Sequence, residues 1–179
     1  ARPAGGAGLF RASCLAGAAR VVLGDPPTLF DLEEDVDLDA PPVPFGSARV
    51  VREGGDVTVV ATSIMVSRAE AAAVQLKTDH CVEVEIIDPR TLVPLDEAAV
   101  LESVRRTSKV VLLHETNRNL GPAAELSARI AEHAFEYLDG PIVRVAAPDP
   151  PVPFSPTLAE GCPPGGPRPP TPGRRLPAY

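Results

Sequence analysis

Apolar segments of two different periodicities alternate through the centre of the chain, and this alternation constrains the fold more than any other feature. Residues 56–62 are apolar and β-branched enough to predict a buried strand. Similar strands are predicted at 82–87, 109–113 and 142–146, and a helical pattern follows each of the first three. This order favours right-handed crossovers, so we predict an α/β fold: a three-layer αβα domain with a mainly parallel sheet.

Local signals predict where the helices begin. Ser67 followed by Glu70 matches a capping box, which predicts a helix continuing to about Thr78. Asp96 is predicted to cap the second helix, and Pro122 to lie in the first turn of the third. The apolar face of the third helix is predicted to consist of Leu126, Ile130, Ala134 and Leu138.

The ends of the chain differ from this patterned centre. Residues 1–42 have no sustained period and form a poorly patterned segment. The folded domain is predicted to span residues 43–158. Residues 159–179 form a proline-rich tail, and we expect it to be extended or disordered because proline removes donors and breaks helices.

Composition excludes several classes of partner. The chain has 24 acidic and 17 basic side chains, a net charge of -7, and no basic stripe joined to aromatic residues, so no nucleic-acid partner is predicted. Charged residues interrupt every apolar run well short of the roughly 18 residues that a membrane span needs. The 3 cysteines do not form a disulfide framework, which favours a reducing compartment.

Two polar clusters are predicted at the carboxyl edge of the sheet, where ligands gather in open α/β folds. Asp88 and Arg90 follow the second strand, and His114 and Glu115 follow the third. A histidine beside a glutamate suits acid/base chemistry. Adjacent residues on an extended chain point in opposite directions, however, so a structural or subunit-interface cluster is favoured over a catalytic one.

Three other kinds of site are less well supported. His80 and Cys81 suggest an activated thiol, but a cysteine beside a core strand is more often a small buried hydrophobe. His80, His114 and His133 lack metal-ligand spacing, so no metal site is predicted. The turn at 62–66 has no glycine to cradle a phosphate, and no cofactor is predicted to bind this chain alone.

Particular residues resemble a known family. Residues 43–58 are similar to the start of the carboxy-terminal domain of the beta subunit of thiamine-dependent 2-oxo acid dehydrogenases, a transketolase C-terminal-like domain. Residues 88–96 resemble the family turn D-x-R-T-L-x-P-x-D. Further matches follow in order: His114-Glu115, Gly121 with Ala124-Glu125, Leu138-Asp139-Gly140-Pro141, and Arg144-Val145 with Asp149 and Pro153. The resemblance covers about residues 43–158, and it makes residues 1–42 a candidate remnant of a preceding pyrimidine-binding domain.

The resemblance implies an α2β2 assembly that decarboxylates a 2-oxo acid with thiamine diphosphate and magnesium, and passes the acyl group to a lipoyl arm. The family's catalytic glutamate and histidine belong to the preceding domain, so the cofactor is expected outside this chain and no residue here is assigned as catalytic. The expected partners are the alpha subunit, a second beta subunit and the peripheral-subunit-binding module of a dihydrolipoyl acyltransferase. The expected location is the cytoplasm of a bacterium, with the mitochondrial matrix as the alternative.

Acidic side chains are the candidates for docking, since a basic module would meet complementary charge at Asp139 and Glu136. Asp139 is equally well explained as a turn residue. The complete set of interface or structural candidates is Asp88, Arg90, His114, Glu115, Glu125, Glu136 and Asp139. Two alternatives stay open: a freestanding, non-catalytic binding module, and the terminal domain of another thiamine enzyme such as a transketolase.

Overall fold

The computed structural model describes residues 3–15, 37, 39 and 41–147. The tail at 159–179 and most of segment 1–42 lie outside these described residues. The elements are α1 (Pro3–Leu15), β1 (Arg49–Arg52), β2 (Val57–Ala61), α2 (Met65–His80), β3 (Val84–Asp88), α3 (Glu97–Thr107), β4 (Val110–Asn117), α4 (Pro122–Ala134), a 3₁₀ turn (Phe135–Tyr137) and β5 (Val143–Ala147). Helix α1 lies within the segment for which the sequence showed no sustained period. None of the helices in these ranges has the length and apolarity needed to cross a membrane.

The five strands form one sheet in the order β1-β3-β2-β4-β5. Strands β2 to β5 run parallel, and β1 pairs antiparallel with β3 at one edge. Thr58 of β2 lies opposite both Glu85 of β3 and Val110 of β4. The predicted mainly parallel sheet is therefore confirmed.

Helices cover both faces of the sheet. Helices α3 and α4 pack on one face, over a core that includes Val60, Ile87, Val104, Leu112 and Ile130. Helix α2 packs on the other, over a core that includes Ala61, Met65, Val66, Ala69 and Ile86. Because side chains alternate along each strand, both faces of the central strands are apolar, as a doubly covered parallel sheet requires. The three-layer αβα architecture is confirmed.

Helix boundaries agree with the sequence signals at two positions and disagree at one. The Asp96 side chain accepts a hydrogen bond from Ala99 N at 3.2 Å and caps α3, and Pro122 is the first residue of α4. The predicted cap at Ser67 is wrong, because α2 begins two residues earlier at Met65. Met65 is fully buried and the preceding turn at Ser63 has a φ of 56°, so core packing sets the start of this helix.

The third predicted strand is longer than expected. Strand β4 continues to Asn117, so His114 and Glu115 lie within the strand and do not follow it. The extension pairs with β5, where Asn117 lies opposite Ala147. Helix α4 ends at Ala134, so Leu138 lies beyond the helix, although it still packs against the core.

Cys81 also differs from expectation. It is exposed, not buried, and it ends α2 in the left-handed conformation with a φ of 55°. Its backbone N–H donates to the carbonyl of Lys77 at 3.2 Å. The residue therefore forms the helix C-cap, a position at the surface.

Candidate functional site

The loop after β3 holds the chain segment that leads into β1. Arg90 has a left-handed φ of 56°, and its backbone N–H donates to the Asp88 carboxylate at 3.0 Å. The Arg90 guanidinium donates to Ser47 O at 2.9 Å and to Ala48 O at 3.2 Å. Asp88 and Arg90 are therefore both occupied by bonds within the chain.

Two further polar residues of this loop also form hydrogen bonds with residues 46–48. Thr91 Oγ1 accepts from Gly46 N at 2.9 Å and donates to Pro94 O at 2.7 Å. Asp96 accepts from Ala48 N at 2.8 Å while it caps α3. The polar positions of the D-x-R-T-L-x-P-x-D turn thus fasten residues 46–48 to the sheet, which is a structural role.

His114 is buried on the face covered by α3 and α4, with 3% of its surface exposed. Its Nδ1 lies 2.7 Å from Thr116 Oγ1, and its Nε2 has no hydrogen-bond partner among the described residues. Burial lowers the pKa of His114 below its ordinary value, and the positive charge of Arg144 lowers the pKa further. Both effects favour the neutral form of this histidine.

The structure does not bring the predicted polar clusters together. Burial alternates along β4, so His114 and the half-buried Glu115 lie on opposite faces of the sheet and form no acid/base pair. Strand β2 separates Asp88 on β3 from His114 on β4, a lateral distance of about 10 Å. The carboxyl edge consequently presents separate structural contacts.

Glu125 belongs to a network of ion pairs that joins two helices. Arg129 Nε lies 2.8 Å from Glu125 on α4, and Arg129 Nη1 lies 2.8 Å from Glu97 on α3. His133 Nε2 lies 3.5 Å from the same Glu97 carboxylate. The pair with Glu125 lies within α4, whereas the two pairs with Glu97 join α4 to α3. These groups are partly or largely exposed, so the contribution of the pairs to stability is small.

The two acidic docking candidates lie near the end of α4. Glu136 is exposed in the 3₁₀ turn. The Asp139 side chain is 63% exposed, its carboxylate lies 3.4 Å from Lys109 Nζ, and its backbone N–H donates to Ser108 O at 2.9 Å. An open groove of about 530 Å³ runs beside Asp139, between the end of α4 and the start of β5.

One buried polar cluster was not predicted from the sequence. Glu85 has 2% of its surface exposed and forms an ion pair with the half-exposed Arg106 of α3. On the same sheet face, Thr58 Oγ1 lies 2.5 Å from Ser103 Oγ and 2.6 Å from Thr107 Oγ1. The signal available in the sequence was the position of Glu85, which alternation places on the same face as the core residue Ile87.

Metal ligands are sparse in these ranges. Across residues 3–15 and 41–147, no three His, Cys, Asp or Glu side chains lie close enough to hold a metal ion.

The surface near the carboxyl edge of the sheet carries large apolar side chains that are exposed to solvent. Leu92 is 54% exposed, Val93 is 89% exposed and Leu120 is 102% exposed.

Comparison with known proteins identifies the family. Residues 46–162 match the family described as transketolase, C-terminal domain. The chain belongs to this family. The match includes the loop whose polar residues fasten residues 46–48, and the resemblance expected from the sequence is confirmed.

Similar subunits are found in several bacteria. The chain is 39% identical over 133 residues to the acetoin:2,6-dichlorophenolindophenol oxidoreductase subunit beta of Bacillus subtilis, covering 74% of this chain and 39% of the relative. It is 42% identical over 140 residues to the subunit of the same name from Cupriavidus necator, covering 78% and 41%. It is 40% identical over 129 residues to the pyruvate dehydrogenase E1 component subunit beta of Rickettsia felis, covering 72% and 38%.

Part of a solved transketolase chain has a similar fold. The structure described as a split gene transketolase, inactive beta4 tetramer, superposes with a TM-score of 0.57 at 29% identity, covering 66% of this chain and 37% of that chain. The present chain therefore spans about two fifths of the length of the proteins it matches.

Proposed function

We propose that this chain acts as the carboxy-terminal domain of the beta subunit of a thiamine-dependent 2-oxo acid dehydrogenase, with a role in subunit association and docking. The observation that carries the proposal is the identity of 39 to 42% over 129 to 140 residues to subunits named as beta subunits of pyruvate and acetoin enzymes. The site geometry agrees with a non-catalytic role for this domain. The side chains of Asp88, Arg90 and His114 are engaged in hydrogen bonds within the domain.

The cofactor is assigned to other parts of the assembly. Thiamine diphosphate would supply the carbanion stabilisation that decarboxylation of a 2-oxo acid requires, with magnesium to hold its phosphates. The described residues do not fit such a site, since they bring no three metal-ligating side chains together and the turn after β2 has no glycine. We place both groups outside this chain, and no step of the reaction is assigned to it.

Association with the alpha subunit and a second beta subunit is assigned to the carboxyl edge of the sheet. The loops after β3 and β4 present Leu92, Val93 and Leu120 to solvent. Val93 and Leu120 are almost wholly exposed, and the first loop is fixed by the hydrogen bonds of Arg90 and Thr91. Exposed apolar side chains on a rigid frame are typical of an association surface.

Docking of the acyltransferase is assigned to the acidic surface at the end of α4. Glu136 and Asp139 are exposed there, on a chain whose net charge is -7. A basic peripheral-subunit-binding module would be attracted to this surface, and the attraction would weaken as salt is added. The proposed location is that of the parent complexes, the bacterial cytoplasm or, as the alternative, the mitochondrial matrix.

Association and chemistry are tested together. The full chain is mixed with the alpha subunit and a complete beta subunit, and the complexes are counted by native mass spectrometry. Release of labelled CO₂ from 1-labelled pyruvate is measured in parallel, with thiamine diphosphate and magnesium present. We expect the chain to enter complexes with the other subunits and to release no CO₂ alone.

A matched pair of variants localises the association surface. Val93→Asp places a charge in the exposed loop after β3, and Val74→Asp places one on α2, where the valine is also exposed at 57%. We expect only Val93→Asp to reduce the fraction of chain in complexes. CO₂ release by the purified chain alone, or failure of the wild-type chain to associate, would contradict the proposed function.

A further inference from the structure

We propose that His114 is an acid-sensitive latch, which keeps the end of β4 and the loop after it closed only while the imidazole is neutral. The latch segment is residues 114–121, and it includes the fully exposed Leu120. In the closed arrangement, Arg118 N donates to Ala147 O at 3.2 Å. The latch is a property of the folded domain itself and does not depend on the association and docking roles proposed above.

The end of β4 has less support from the sheet than its beginning. Pairing with β2 extends along β4 as far as Leu113. On the β5 side the register shifts between Leu113 and Asn117, so residues 114–116 interrupt the regular ladder. Segments with fewer ladder contacts open at a lower free energy than the core of a sheet, so the latch segment is suited to local opening.

The His114 side chain closes this weakly supported segment. It is 3% exposed, and its Nδ1 lies 2.7 Å from Thr116 Oγ1. A Cβ at Gly121, the N-cap of α4, would lie 2.7 Å from His114 Cε1, so the ring packs directly against the start of the helix. The imidazole therefore joins the interrupted part of β4 to α4.

A second proton on this ring would have no acceptor. The buried Nε2 has no hydrogen-bond partner in the part of the chain that the structure describes. A neutral imidazole can leave one nitrogen unprotonated, whereas the imidazolium ion carries an N–H on both nitrogens and would bury one of them unpaired. Water can pair with that N–H only when the latch segment opens, so protonation favours opening.

The charges around His114 also oppose protonation. Burial is the largest cause that lowers the pKa of His114, and the charge of Arg144 on β5 lowers it further, against a smaller opposing effect of the Thr116 backbone. The positive end of the α4 dipole lies at Gly121 and acts in the same sense as Arg144. A proton on His114 is thus disfavoured by both burial and charge.

No carboxylate among the described groups compensates for these effects. Arg129 of α4 pairs with Glu125 on the same helix and with Glu97 on α3, and β2 contains no ionisable residue. Within the latch segment, Glu115 lies on the opposite face of the sheet and Arg118 is a cation. The remaining charged groups of α3 and α4 are exposed: Glu102, Arg105, Arg106, Glu132 and His133.

Amide hydrogen exchange of the full chain, followed by NMR between pH 7 and pH 5, tests the latch. Wild type is compared at each pH with His114→Gln and with a matched control, His80→Gln, because His80 is exposed at the end of α2. The ratio of rates in two proteins at one pH cancels the intrinsic pH dependence of exchange. We expect the Arg118 amide to open more readily in wild type than in His114→Gln below about pH 6.5, by up to about tenfold per pH unit for one proton taken up. His80→Gln should behave as wild type.

Low concentrations of urea distinguish local opening from global unfolding. The Thr58 amide, which donates to Lys109 O at 2.9 Å, reports the centre of the sheet. We expect exchange at Arg118 to be faster than at Thr58 and nearly independent of urea, because local opening exposes little surface. Exchange at Arg118 that accelerates with urea in step with Thr58 would overturn the latch.

Two further results decide the role of His114. The same pH dependence at Arg118 in wild type and His114→Gln would overturn the inference. Arg144→Gln retains the histidine and removes the cation, which should bring the pKa of His114 closer to its ordinary value and reduce the pH effect at Arg118. An unchanged pH effect in Arg144→Gln would also overturn the inference, and this variant keeps the test valid if His114→Gln does not fold.

Discussion

Arg90 holds Ser47 by two hydrogen bonds across 43 residues of sequence: its Nε donates to the Ser47 carbonyl at 2.9 Å and its Nη2 to the Ser47 hydroxyl at 3.2 Å. Residues 46–48 lead into β1, the antiparallel edge strand. The loop after β3 therefore fixes residues 46–48 to the sheet.

Arg90→Met removes these bonds while keeping much of the side-chain volume. Hydrogen bonds from a charged donor stabilise by about 1.5 to 3 kcal/mol, so we expect the free energy of unfolding to fall by about 2 kcal/mol. Urea denaturation measures it, with Arg49→Met as the control, because Arg49 is exposed on β1. Equal losses for the two variants would show that the Arg90 contacts do not fasten the segment.

Gly54 and Gly55 are adjacent but differ in the space around them. A Cβ at Gly54 would overlap the backbone of Val84 and Glu85, whereas a Cβ at Gly55 would meet no atom within 4 Å. We expect Gly54→Ala to destabilise the domain by about 1 to 3 kcal/mol and Gly55→Ala to change stability by less than about 0.5 kcal/mol. Thermal unfolding compares them, and a stable Gly54→Ala protein would refute the close approach to β3.

The ion pair between Glu85 and Arg106 is asymmetric, because Glu85 is buried and Arg106 is half exposed. Arg106→Met leaves a buried carboxylate without its cation, and we expect a loss of about 3 kcal/mol, the lower end of the range for breaking a buried pair. Glu85→Gln with Arg106→Met should recover most of that loss, since the buried charge is gone. A double-mutant cycle in urea measures the coupling, and additive effects would contradict it.

His114 predicts a pH dependence of stability. Its pKa is lowered in the folded state by burial and by Arg144, so the unfolded chain binds a proton more readily. The stabilisation is complete above about pH 6.5, the ordinary histidine pKa, and is lost as pH falls from there toward the lowered pKa. We expect the urea midpoint to decline between pH 7 and pH 5, and to decline less in His114→Gln. Parallel profiles for the two proteins would exclude His114 as the cause.

The sequence predicted the repeated part of the fold because strands and helices carry local patterns. Asp96 and Pro122 marked helix starts correctly. The start of α2 was misplaced because burial of Met65, a tertiary effect, sets it. The extension of β4 past His114 depends on pairing with β5, which no local pattern contains.

The sequence predicted which residues lie at the candidate site but not which contacts they make. The turn that includes Asp88 and Arg90 was recognised, yet its partners at residues 46–48 lie more than 40 residues away in sequence. The groove beside Asp139 depends on how the turn after α4 folds back on Ser108.

The proposed role of this domain depends on docking of a basic partner at the acidic surface around Asp139. Calorimetric titration of the full chain with the acyltransferase's peripheral-subunit-binding module measures this docking directly. Wild type is compared with Asp139→Lys and with a matched control, Asp79→Lys, near the C-terminal end of α2. We expect wild-type binding that weakens with salt, a loss of affinity of about tenfold or more for Asp139→Lys, and little change for Asp79→Lys. Unchanged affinity for Asp139→Lys, or equal losses for both variants, would contradict it.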